Sequence, residues 1–105
     1  PKNHDKILAS TSHAPHLLSA AIALSTPSSA HPFTAGGWRD TTRIASGDPE
    51  LWADILLDNA VNTGKALSKV AANIEKILAA IESENRQRLV KLLNRAKEAR
   101  DALGG

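Results

Sequence analysis

Two clusters hold most of the side chains in this sequence that could do chemistry. The first is Thr11-Ser12-His13-Ala14-Pro15-His16, with two of the four histidines. His13 and His16 lie three apart, so on a helix they share a face. Imidazoles placed this way can ligate a metal or hydrogen-bond a polar ligand. A metal needs a third ligand, and His4, Asp5 and His31 are not at a diagnostic spacing for one. Hydrogen bonding to a substrate, or between the rings, fits the pattern better; plain helix surface or a satisfied core is the alternative. The second cluster is Gly36-Gly37-Trp38-Arg39-Asp40-Thr41-Thr42-Arg43-Ile44-Ala45, followed at once by Asp48-Pro49-Glu50-Leu51-Trp52. Arg39 and Arg43 share a helix face, and Asp40 is placed to pair with Arg43. A guanidinium grips a carboxylate or phosphate through two parallel hydrogen bonds. As a bare surface ion pair, Asp40–Arg43 would contribute less than about 1 kcal/mol. Gly36-Gly37 admits unusual backbone angles or a close ligand approach. It is not a dinucleotide fingerprint, because no strand precedes it and the three-glycine spacing is missing.

The elements that must position these residues read as helices. Residues 6 to 24 interleave Ile7, Leu8, Leu17, Leu18, Ile22 and Leu24 with Ala and Ser. Pro15 removes a donor there and clashes with the carbonyl four residues back, which predicts a kink or break around residues 11 to 15. Residues 25 to 35 form a Pro/Ser loop. Residues 38 to 46 suit a short helix. Asp48 is a good N-cap, Pro49 fits the first helical position and Glu50 suits the dipole. A helix from there could run about 33 residues, or roughly 50 Å. Its apolar face is Trp52, Ile55, Leu56, Ala66, Leu67, Val70, Ile74, Ile77, Leu78 and Ile81. Asn59, Asn62, Thr63 and Gly64 interrupt it. Ser83 can cap a last helix that carries Leu89, Leu92, Leu93, Ala96 and Leu103 and ends at Gly104-Gly105.

The 105-residue length predicts one domain with a modest core. Hydrophobic residues make up 42% of the chain and only three residues are aromatic, an Ala/Leu/Ile/Val mix that suits helices over a sandwich or barrel. Zero cysteine excludes disulfides and thiolate metal sites and fits a cytoplasmic protein. No apolar run approaches the roughly 18 residues of a membrane span, so no membrane partner is expected. The net charge of +2 does not call for nucleic acid, and the basic residues of the last helix read as a solvated face. The start at Pro1 and the absence of Met suggest a processed product or a piece of something longer.

Together the clusters resemble the C-terminal helical domain of the prephenate/arogenate dehydrogenase family. The matching pieces are His4-Asp5, Thr11 to His16, Gly36 to Ala45 and Asp48-Pro49-Glu50-Leu51-Trp52-Ala53-Asp54-Ile55. Order and spacing agree from residue 4 to about residue 60. The family usually has Leu at position 14 and Phe at 38; Ala14 only loses bulk, and Trp38 keeps an aromatic.

The resemblance implies an enzyme of tyrosine biosynthesis that oxidises and decarboxylates prephenate or arogenate with NAD or NADP. It also implies that the dinucleotide and the main catalytic histidine belong to an N-terminal Rossmann domain absent from this chain. Residues 1–105 would then be the substrate-side dimerisation domain, with no catalytic residue of its own and no cofactor or metal bound. Carried over by position, Arg43 would bind a substrate carboxylate. His16, and less directly His13, would hydrogen-bond substrate polar groups. Asp40 would orient Arg43 or join an ion-pair gate, Gly36 would lie in a mobile loop at the mouth, and Trp52 would line that mouth. The expected architecture is all-α: a kinked N-terminal helix, a short helix and two long antiparallel helices in an intertwined homodimer. Leu57, Ala60, Val61 and Ala71 fall outside the main apolar face and point to the same partner. The competing reading is a helical interaction module without catalysis. It expects Arg43 and His16 far apart and solvated, where the enzyme reading expects them on one concavity.

Overall fold

The computed structural model describes residues 2–104, and Pro1 and Gly105 lie outside them. The described residues are helical and contain no strand. They divide into two compact units, Pro1–Lys69 and Val70–Gly105.

In the first unit, α1 (Lys2–Leu8) leads into a five-residue π-turn (Ala9–His13) and then α2 (Ala14–Ser25). Pro15 therefore falls in the first turn of α2, where a missing N–H costs little. The predicted kink takes the form of a widened turn, in which the Ala14 N–H donates to the Ala9 carbonyl five residues back. Such turns recur at functional sites. The run from Lys2 to Ser25 is one 24-residue helix, long and apolar enough by length and composition to cross a membrane. That corrects the expectation that no segment approaches a span. The helix buries Ala9, His13, Ala14, His16 and Ser19 within its unit.

The expected Pro/Ser loop contains a 3-10 helix, Ser28–Phe33. The short helix starts earlier than predicted: α3 covers Gly36–Thr42 and passes into a 3-10 turn, Arg43–Ser46. Both pack against α2. The single long helix from Asp48 is corrected to two, α4 (Pro49–Asp58) and α5 (Ala60–Glu82). The break is at Asn59, whose backbone leaves helical geometry at φ −120° and ψ 34°.

In the second unit, the last part of α5 and α6 (Arg86–Asp101) form an antiparallel hairpin, with Asn73 and Ile77 beside Leu92, Arg95 and Ala96. Asn85, not Ser83, caps α6: its side-chain oxygen accepts from the Arg88 N–H at 3.0 Å. Ser83 is spent on the end of α5, where its hydroxyl donates to the Ala79 carbonyl at 2.8 Å. α6 stops at Asp101, and Gly104 follows at φ +71°.

Among the described residues the buried apolar side chains are all small: Ala9, Ala14, Ala66 and Ala80. Ile74, Leu78 and Ile81, on the apolar face that the spacing marks, are half exposed. Leu57 is 72% exposed and Val61 71% exposed, as their positions off the main face predict.

Candidate functional site

Asp48 accepts from the Glu50 N–H at 3.1 Å, and with Pro49 it fixes where α4 begins. This start places Trp52 one turn into α4, against α2. The Trp52 indole stacks on His16, with centroids 4.0 Å apart and planes 18° apart. It meets His13 edge-on at 6.5 Å and 83°. Stacked and edge-to-face pairs are both favourable arrangements of such rings. Gly47 makes room for the indole, since a Cβ there would sit 2.7 Å from Trp52 Nε1.

His13 and His16 are 5% and 7% exposed. His13 Nδ1 lies 3.3 Å from Thr63 Oγ1 and 3.3 Å from Asn59 Nδ2. The Asn59 amide also donates to the Asp5 carbonyl at 2.8 Å and accepts from Asn62 Nδ2 at 2.9 Å. This network ties α1 and the π-turn to the break between α4 and α5. His16 Nδ1 and Ser19 Oγ, one turn apart on α2, are buried and have no hydrogen-bond partner among the described residues. Buried polar groups are nearly always satisfied, so these two atoms stand out as unused hydrogen-bonding capacity.

The arginine cluster lies toward the C-terminal end of α2, where Ala23 lines it. Trp38, Arg39, Asp40, Thr42 and Arg43 line an open concavity of about 440 Å³ with Ala23, Ala45 and Ser46. Trp38 is anchored by its indole N–H, which donates to Thr26 Oγ1 at 3.0 Å. Thr42 is buried, and its hydroxyl donates to the Trp38 carbonyl at 2.8 Å. Arg43 is exposed at the end of α3. Its guanidinium is therefore free to meet an anion.

The structure thus joins His13, His16 and Trp52 in one cluster, and Asp40 and Arg43 in another. Arg43 lines the concavity beside α3, and His16 carries the stacked Trp52 indole. The Asp40–Arg43 ion pair is absent; among the described residues only Lys97–Asp101 pairs within 4.0 Å. Gly36 is the first residue of α3 and not part of a loop, with nothing within 4 Å of where its Cβ would be. Sequence reasoning missed Gly47 and treated Asn59 and Thr63 as mere interruptions. Their signal was available: two polar residues four apart on an otherwise apolar helix face ask for a buried partner.

The profile of the family described as "Prephenate dehydrogenase, dimerization domain" matches residues 1–95. The chain belongs to this family. It is 36% identical over 109 aligned residues to the prephenate dehydrogenase of Bacillus subtilis (strain 168), covering 98% of this chain and 29% of that protein. Among solved structures, Synechocystis arogenate dehydrogenase matches with a TM-score of 0.90 at 26% identity, over 98% of this chain and 40% of that one. Prephenate dehydrogenase from A. aeolicus, in complex with hydroxyphenyl propionate and NAD+, matches with a TM-score of 0.85 at 29% identity, over 98% and 38%. The chain therefore spans well under half of the relatives it matches. The all-α fold and the family expected from the two clusters both hold.

Proposed function

We propose that this chain is the substrate-side, dimerising part of an NAD- or NADP-dependent prephenate or arogenate dehydrogenase that works in tyrosine biosynthesis. The observation that carries this reading is the family match over 95 residues, which takes in both polar clusters. Its own residues do not suit a dinucleotide: the described residues hold no strand–glycine turn–helix to cradle a pyrophosphate. The cofactor in this reading is held by a Rossmann domain outside residues 1–105.

Prephenate and arogenate both carry carboxylates. Arg43, exposed beside the open concavity, offers a fixed positive fork for one of them. His16 and His13 serve the ligand's polar groups, with Trp52 packed against both rings. Two identical chains pair through the apolar surface that a single chain leaves open on α4, α5 and α6.

The test is steady-state kinetics of the full-length dehydrogenase. A charge-assisted contact contributes about 1.5–3 kcal/mol, so Arg43→Ala should lower kcat/KM for prephenate or arogenate by roughly ten- to a hundredfold. An unchanged kcat/KM would remove Arg43 from the site.

A further inference from the structure

We propose that Asn59 is a positioning residue that fixes which ring nitrogen of His13 carries the proton. It holds Nδ1 bare and leaves Nε2–H as a hydrogen-bond donor for the ligand.

The argument starts at the Asn59 amide, whose orientation its neighbours determine. The atom 2.8 Å from the Asp5 carbonyl has to be the NH2 group, since two acceptors would repel. Asn62 Nδ2, at 2.9 Å, then meets the amide oxygen. The second hydrogen of the same NH2 is left for His13 Nδ1 at 3.3 Å. A ring nitrogen that receives an N–H must be unprotonated, so the neutral ring carries its proton on Nε2. Thr63 Oγ1, also 3.3 Å from Nδ1, can donate or accept and adapts to either form. The Asn59 amide cannot adapt, so Asn59 decides.

Nε2 makes no hydrogen bond among the described residues and is not among the buried unpartnered atoms. It remains reachable as a donor to a hydroxyl or carboxylate oxygen. The helix break at Asn59 follows from the same arrangement. Its side chain is drawn to the Asp5 carbonyl and the His13 ring, while its backbone departs from the helix.

That the donor serves a substrate rests on the dehydrogenase reading above; the tautomer does not. The first experiment is long-range 1H–15N correlation on this chain with 15N-labelled histidine and asparagine. The expected result is His13 protonated at Nε2, with a 15N–15N coupling across the hydrogen bond from the Asn59 amide to Nδ1. Asn59→Asp replaces the donor with an acceptor and should move the proton to Nδ1, whereas Thr63→Val should leave it on Nε2. A wild-type ring protonated at Nδ1, or no coupling to Asn59, would overturn the proposal even where the Asp variant fails to fold. In the full-length dehydrogenase, Asn59→Asp should raise KM about fivefold or more with a smaller change in kcat. A swapped tautomer with unchanged KM would support the positioning role and refute instead the contact between His13 and substrate.

Discussion

Arg43 and Gly47 illustrate two kinds of residue in the candidate site. Arg43 is exposed, and in the proposed role it would act through the shape of its charge. Arg43→Lys should therefore recover only part of the activity lost in Arg43→Ala, because an ammonium cannot replace a planar fork. Full recovery in kinetics of the full-length enzyme would mean that net charge alone matters there. Gly47 acts by what it lacks. A methyl group 2.7 Å from Trp52 Nε1 must displace a rigid indole that is stacked on His16. Gly47→Ala should destabilise the fold by about 1–3 kcal/mol, the usual cost of overpacking. Urea unfolding followed by Trp52 fluorescence, in a Trp38→Phe background, measures it, and an unshifted midpoint would mean the indole has room to move. Arg43, His16, His13 and Trp52 could be singled out from the sequence because their types and spacing form a pattern. Gly47 could not, since its role depends on a side chain five residues away that folding brings back over it.

The helices were largely legible, and the departures have local causes. Asp48-Pro49-Glu50 marks a helix start by three independent preferences, and α4 begins there. Pro15 was correctly read as a disturbance, but the chain absorbs it in the π-turn of Ala9–His13 without a break. Apolar spacing carried one helix through Asn59, because periodicity does not register a side chain bonded to residues about fifty positions earlier. Ser83 and Asn85 both have capping side chains, and sequence preference ranks them closely. The structure gives the cap to Asn85. Asn85→Ala should accordingly cost about 1 kcal/mol. That corresponds to a Tm lower by roughly 4–8 °C for a domain of this size. Ser83→Ala should cost less, because its hydroxyl bonds a carbonyl that remains open to water. Thermal unfolding of the two variants side by side checks the order, and a larger loss at Ser83 would reverse the assignment.

Both units leave large apolar side chains exposed: Leu51, Leu57 and Val61 in the first, and Ile74, Leu78 and Ile81 in the second. Exposed apolar side chains in such numbers suit a partner. The family to which the chain belongs is described by its dimerization domain. A symmetric pair would cover the same residues on both copies and supply the core that four alanines do not. Such a pair should resist dilution and unfold as one unit. Sedimentation equilibrium on this chain at micromolar concentration tests the account most directly. The predicted result is a single species of twice 11.1 kDa, stable on dilution. A well-folded monomer of 11.1 kDa would contradict it.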